Sequence, residues 1–300
     1  MLRALTLYGI FTEVEEETYE HSSLSLKLST PPLSLNALPL AARNLSGMSK
    51  LPEYLAKTSY RNPGDDPSAK SLFQYSNNTD LEFFQWLQTQ PAALKTFNTS
   101  MAKSVATERA LAGKGLVDIY PFKSLGEGLS SPDEIVLVDV GGGQGQVLED
   151  MRMHVLELNG KKMVLEDLPK TVEDHVPLED VDFVPYDFLT VEQPVKGARA
   201  YLLRHILHDW PDRICRKILL NTIPALVKGK SKILIVEIIL PPVNPPIFGA
   251  LMDIQMMNYG GGGRKERQWR AIFESVGLEI VKIWPTAKSD SVMELVLKSS

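Results

Sequence analysis

From Ile135 onward the chain alternates short apolar runs with helix-like stretches. The runs are IVLVDV, KMVLED, VDFVPYD, AYLLRHI, KILIVEIIL, LEIVKIW and MELVLKS. Near-continuous apolar strands spaced by helical segments predict a parallel sheet covered by helices on both faces. The last two runs are separated by little more than PTAKSDS. That is too short for a helical crossover, so those strands should pair antiparallel. The predicted class is α/β: a Rossmann-like, mostly parallel sheet ending in an antiparallel hairpin.

The first part of the chain has a different pattern and is expected to be mainly helical. LRALTLYGIF resembles the end of an amphipathic helix, and TEVEEETYEHS alternates as a short hairpin or wing would. Thr30 to Asp66 is rich in Ser, Pro, Asn and Leu, with short helices such as LPEYLAKT, and RNPGDDPSAKS is a loop. DLEFFQWLQTQP and AALKTFNTSMAKSVATERALAG are expected helices. Phe83, Phe84, Trp86 and Leu87 share one face, as do Leu94, Phe97 and Met101. Two regions are therefore expected. Residues 1–120 form a helical part with a winged-helix remnant, and 121–300 form the α/β domain, joined through a linker near Gly115 to Asp133. There is no internal repeat or low-complexity tract.

Composition narrows the function classes. The 300 residues carry 32 basic and 37 acidic side chains, a net charge of −5, and no Lys/Arg-rich tract, which disfavours nucleic-acid binding. No apolar run is long enough to span a bilayer. The N-terminus turns acidic at once and lacks a small-residue cleavage site, unlike a signal peptide. A cytoplasmic setting is expected. The single cysteine, Cys215, excludes an internal disulfide and a cysteine-cluster metal site. It sits in a helical segment as a packing residue.

The chemistry begins at VDVGGGQG, a strand, a glycine turn and a helix start. Glycines there let the backbone approach a nucleotide-like ligand. Gly141, Gly143 and Gly145 read GxGxG, and the third glycine of the dinucleotide fingerprint is replaced by Gln146. That departure favours a ligand without a pyrophosphate. At the next strand end, Asp167 suits two ribose hydroxyls, with Glu166 beside it as a rival. The third strand ends in Asp187 and Phe188, which suit an exocyclic amine and a purine face.

His208, in LLRHILHDW, follows a strand end on the same side of the sheet. A histidine can take a proton at neutral pH, and Glu237 on the next strand end can orient its ring. His205 lies within the strand end and is expected to be core. No histidine or carboxylate spacing suggests a metal site.

In their order and spacing, VDVGGGQG, LEDLP, YDF, LLRHILHDWPD, IVEIILP, MDIQMMNYGGGGRKERQW and ESVGLEIVKIW resemble the S-adenosylmethionine-dependent O-methyltransferases of the caffeic acid/flavonoid type, fungal secondary-metabolite branch. The resemblance covers nearly the whole chain. It implies S-adenosylmethionine as cofactor, held by Gly141, Gly142, Gly143, Asp167, Leu168, Asp187, Phe188 and Arg204. It implies His208 as catalytic base with Glu237 and Glu266 flanking it. It also implies a small aromatic acceptor, phenolic or polyketide-like, in a slot lined by Phe97, Met101, Met252, Met256 and Asn258. The reaction implied is methylation of a phenolic hydroxyl. Two alternatives remain: a non-methylating dehydration or pericyclic enzyme of the same fold, and a non-catalytic cofactor-binding subunit. The family forms homodimers through an N-terminal helical stretch, so a homodimer is one expectation, and this sequence begins inside what resembles the last helix of the winged-helix part. The turn GGGGR is also read as one residue longer than the family's usual GGKER.

Overall fold

The computed structural model describes residues 2–29 (side chains of Lys27 and Leu28 excepted), 47–62, 64, 66, 68–102, 105, 109, 114–173, 175–285 and 290–299. Residues 30–46 of the expected Ser/Pro/Asn-rich segment, and parts of the RNPGDDPSAKS loop, of the helix after Ala102 and of the PTAKSDS turn, lie outside the described residues, while the short helix expected at LPEYLAKT is present as Leu51–Lys57.

An acidic hairpin, β1 (Phe11–Glu15) and β2 (Thr18–His21), forms where the alternation predicts it. The main sheet has seven strands: β3 (Leu137–Val140), β4 (Met163–Asp167), β5 (Val181–Pro185), β6 (Ala200–Arg204), β7 (Lys232–Glu237), β10 (Leu278–Trp284) and β11 (Ser291–Leu297). Their order is β10-β11-β7-β6-β3-β4-β5. The five from β7 to β5 are parallel, and β10 and β11 form the expected antiparallel hairpin. β11 is inserted between β10 and β7 and runs antiparallel to both. Two short strands, β8 (Ile239–Leu240) and β9 (Arg264–Lys265), pair parallel beyond the end of β7.

Burial explains the sequence pattern. All four residues of β3 are buried, whereas the edge strands β5 and β10 are only partly so. Side chains alternate across the strands. Val138, Val140, Tyr201 and Leu203 pack on one face with Ile218, Leu219, Trp269 and Phe273. Leu137, Leu165, Leu202 and Leu234 pack on the other with Leu148 and Met151. Cys215 is fully buried in the first cluster, as a packing residue should be.

A third cluster joins the N-terminal helices to the segments that follow β6 and β7. Phe73, Phe83, Leu87 and Leu94 form it, with Phe84, Phe97 and Tyr259 packed alongside. Phe83 stacks on Tyr259 at 4.3 Å, and Phe84 lies 5.8 Å from Trp210. The helices Phe83–Gln88 and Pro91–Ala102 thus form a roof against the strand ends. The strand order reverses between β3 and β6, and such a switch opens a ligand crevice at the carboxyl ends.

Candidate active site

The glycine turn leaves β3 and is tied to the end of β4. The amides of Gly141 and Gly142 donate to the Glu166 carbonyl at 2.7 and 3.1 Å, and that of Gly143 donates to Asp167 Oδ2 at 2.8 Å. A β-carbon at Gly142 would stand 2.3 Å from Leu165 and 2.5 Å from Asp139 Oδ2. Gly141, Gly143 and Gly145 adopt φ of 71°, 64° and 81°, which disfavours any other residue. Gly145 then opens the helix Gln146–His154.

Of the two acids at the end of β4, Glu166 turns inward. It is fully buried, and Gln193 Nε2 donates to it at 2.7 Å. Burial pushes its carboxyl up to about 7, against the pull of Gln193. Asp167 stays at the rim, taking the Gly143 amide on one oxygen and the Leu168 amide on the other at 2.7 Å. A carboxylate has about four acceptor positions, so each oxygen retains capacity for a ligand hydroxyl. Burial pushes Asp167 upward, against these two backbone bonds.

Asp187 turns the chain after β5, its Oδ1 accepting from the Leu189 amide at 2.9 Å. Phe188 is half-buried, with its ring edge 3.6 Å from where a β-carbon on Gly141 would lie. Arg204 ends β6 with its guanidinium 3.8 Å from Asp290. Beneath the turn, Asp139 is buried with Oδ2 unbonded among the described residues; burial lifts it to about 7, against Arg204. Together these form a cradle without side chains, rimmed by a carboxylate, an aromatic face and a buried acid. It fits the adenosine and amino-acid parts of a sulfonium nucleoside.

Across the switch point sits His208. Its ring Nδ1 lies 2.8 Å from Glu237 Oε2, and its amide donates to Glu237 Oε1 at 3.1 Å. One carboxylate therefore fixes both backbone and ring. Nε2 is 3.6 Å from Asp209, beyond a hydrogen bond. Burial alone would lower the imidazole, but Glu237 and Asp209 outweigh it and push His208 up to about 9. Burial would likewise raise Glu237, but His208 holds it below the usual carboxylate range. Asp209 is pushed by burial to about 6, against His208.

His208, Glu237, Met252, Asp253, Met256, Gly263 and Trp269 line a small cavity of about 10 Å³. The expected acceptor residues divide around it. Met252 and Met256 line the cavity. Asn258, two residues further along the same helix, is buried with Oδ1 unbonded among the described residues. Phe97 belongs to the aromatic roof, edge-on to Phe83 and Phe84. Met101 is 36% exposed at the end of its helix and is not part of that cavity lining.

Glu266 does not join His208. It is exposed at the first turn of the helix Glu266–Glu274 and pairs with Arg270 at 2.7 Å. The physical reason is the preceding turn. The Gly262 amide donates to the His208 carbonyl at 2.9 Å, and a β-carbon on Gly261 would lie 2.0 Å from that oxygen. The glycines thus occupy the space beside His208, and the helix carries Glu266 outward. The second carboxylate that lines the cavity, besides Glu237, is Asp253, whose Oδ1 accepts from the Gly263 amide at 2.7 Å.

Arg264 is a further residue that the sequence reading missed. It is buried, donating to Asp212 at 2.8 Å and to the carbonyls of Leu207 (3.1 Å) and Trp210 (2.6 Å). It locks the turn carrying His208. Its only sequence signal is an arginine directly after four glycines. Nor is His205 core: its side chain is 28% exposed and faces Asp290. Among the described residues no group of His, Cys, Asp and Glu has metal-binding geometry, and no helix is long and apolar enough to cross a membrane.

Comparisons with known proteins bear on the family and the fold. The family model of the O-methyltransferase domain matches residues 66–279. O-methyltransferase asqD of Emericella nidulans is 32% identical, covering 98% of this chain and 75% of that protein. Demethylsterigmatocystin 6-O-methyltransferase of Aspergillus parasiticus is 31% identical, covering 94% and 70%. The solved structure of OxaC with sinefungin and meleagrin superposes with a TM-score of 0.88 at 26% identity, covering 99% of this chain and 74% of that one. A structure described as a pericyclic reaction enzyme gives 0.86 at 26% identity, covering 99% and 75%. The chain belongs to the S-adenosylmethionine-dependent O-methyltransferase family.

Proposed function

We propose that the protein methylates a phenolic hydroxyl of a small aromatic secondary metabolite, with His208 as general base. The observation that carries this reading is the double grip of Glu237 on His208, which leaves Nε2 as the nitrogen free of that carboxylate, beside a methionine-lined cavity. Gly141, Gly142, Gly143, Asp167, Leu168, Asp187, Phe188 and Arg204 would hold S-adenosylmethionine. When bound, that cofactor supplies an electrophilic methyl group, so the protein mainly positions the acceptor and manages one proton. A phenol titrates near 10, by analogy with tyrosine. An imidazole near 9 is well matched to take its proton as attack proceeds. Met252, Met256 and the roof around Phe97 offer polarisable and aromatic surface to a flat ring.

The test is incubation with S-adenosylmethionine and a panel of phenols, read by mass spectrometry for methylated products. His208→Gln should abolish most of the turnover while cofactor binding persists. Full activity in that variant would remove His208 from the mechanism.

One observation favours a second reading. An imidazole near 9 is largely protonated at neutral pH and can donate a hydrogen bond to an acceptor oxygen. That property suits a non-methylating rearrangement, and a pericyclic enzyme shares the fold at a TM-score of 0.86. Product formation without consumption of S-adenosylmethionine would establish this reading in place of the first.

A further inference from the structure

Beside the His208–Glu237 pair lies a second histidine–carboxylate pair that the reading above leaves unused. His205 follows β6 with φ of 54°, in the left-handed region that a β-carbon disfavours. Its amide donates to the Val236 carbonyl at 3.0 Å, which holds the strained turn against β7. Its Nε2 lies 2.9 Å from Asp290 Oδ2. Asp290 is buried at the head of β11 and also faces Arg204. Burial would raise Asp290, but His205 and Arg204 outweigh it and hold it near 2, so the carboxylate remains charged.

The His205 side chain is 28% exposed while Nε2 itself is buried, so the exposure belongs to the rest of the side chain. Nδ1 makes no hydrogen bond among the described residues. The ring stacks on that of His208, with centroids 5.3 Å apart and planes 23° apart. The two imidazoles are thus nearly parallel, each facing its own buried carboxylate, in the turn that follows the carboxyl end of β6. Backbone strain of this kind persists where the surroundings over-determine it, and it clusters at functional sites.

We propose that His205, held by Asp290, binds a second oxygen of the acceptor, the one beside the hydroxyl that faces His208. The acceptor class is then a phenol with a carbonyl or hydroxyl oxygen at the neighbouring or peri position. This rests on the O-methyltransferase reading and adds the acceptor's substitution pattern to it. The chemistry explains why two imidazoles help. In a hydroxy-carbonyl compound the phenolic proton is tied into an internal hydrogen bond, out of reach of a single base. A second donor on the carbonyl oxygen releases that proton to His208. For a neighbouring hydroxyl, Nδ1 of a neutral ring can accept instead.

Absorbance titration with 1-hydroxyanthraquinone and 2-hydroxyanthraquinone tests this, since only the first isomer carries the neighbouring carbonyl. The protein, with S-adenosylhomocysteine present, should bind the 1-isomer about tenfold more tightly, as one added hydrogen bond would give. His205→Phe keeps a stacked ring and should erase the preference, and Asp290→Asn should weaken it. Thermal melting of each variant checks the fold, and His205→Gln, which retains a hydrogen-bonding group, should recover part of the preference. Equal binding of the isomers by the wild type, binding of neither, or an unchanged preference in His205→Phe overturns the proposal. Methylation of phenols without isomer preference sinks this inference alone. His205-dependent binding of the 1-isomer with no methylated product sinks the general-base reading and leaves the oxygen-binding role standing.

Discussion

The two sides of the switch point are built by different means. On the β3–β4 side the ligand surface is backbone: a run of glycines, amides tied to Glu166 and Asp167, and no room for a β-carbon at Gly142. On the β6–β7 side it is side chains gathered from segments far apart: His208, Glu237, Met252, Asp253 and Trp269. A backbone cradle serves a ligand common to a whole family. Side chains drawn from many elements can be exchanged singly, and there acceptor and reaction can diverge.

The largest effect that probes this division is expected from His208. Removal of a general base costs about 10²–10⁴-fold in rate. His208→Gln should fall in that range in kcat, with cofactor affinity changed less than about threefold, because the residue contributes nothing to the backbone side. Single-turnover rates and calorimetry with S-adenosylhomocysteine separate the two. A parallel loss of cofactor affinity would mean that the sides are not independent.

The glycines give the matching pair. Gly142→Ala places a methyl 2.3 Å from Leu165 and should weaken cofactor binding by about 10–100-fold, the price of overpacking by 1–3 kcal/mol. Gly261→Ala drives a methyl into the His208 carbonyl and should reduce turnover while sparing cofactor binding. Melting curves identify any variant that simply fails to fold. If both variants lose cofactor binding equally, the contrast between the two sides is broken.

The same division explains what the sequence could reveal. The glycine turn, Asp167 and the strand pattern are legible because the residues that make them are contiguous and their spacing follows strand and turn geometry. The terminal hairpin was equally plain, since seven residues cannot carry a helical crossover. The insertion of β11 beside β7 was not, because strand order depends on packing between distant segments. Glu266 misled for a local reason. The Lys265 amide is capped by Gln268 Oε1 at 3.0 Å, which starts the helix there and directs Glu266 along its surface to Arg270. Asp253, Trp269 and His205 lie inside blocks that carry the family resemblance, but nothing local in those blocks marks them as site residues, and Asp290 lies in none of the blocks. Asp253 and Trp269 reach the cavity only when the helix Ile247–Tyr259 and the turn of residues 260–263 fold beside His208, and His205 meets Asp290 only when β11 is placed in the sheet.

A smaller effect concerns pH. Methyl transfer through a neutral His208 should rise with pH and level off above about 9. Glu237→Gln removes the main attraction holding the proton, so the limb should move down toward the ordinary 6.5, with a rate loss of about tenfold from the weaker base. Stability should follow the same group. Its folded pKa is raised, so its stabilising contribution is complete below about 6.5 and is lost as pH rises through about 9. Melting temperatures of the wild type should therefore fall over that window more steeply than those of Glu237→Gln. A pH–rate limb that stays in place in the variant would show that Glu237 does not set the proton affinity of His208.

The smallest expected effect is also the sharpest test of where the acids lie. Glu266→Gln should leave kcat and cofactor affinity within about twofold, because an exposed helical ion pair contributes little. Asp253→Asn should cost more, about 3–10-fold in kcat, because Asp253 lines the cavity that His208 also lines. Asparagine retains the oxygen that accepts the Gly263 amide, so the glycine turn keeps its anchor and the variant reports on charge. The ordering of the two variants matters more than either size. If Glu266→Gln proves the more damaging, the turn must rearrange when ligands bind and bring Glu266 inward. If Asp253→Asn does, the methionine-bearing helix supplies the cavity with a working acid in addition to Glu237, and the acceptor side is set in part by residues whose role shows only in the fold.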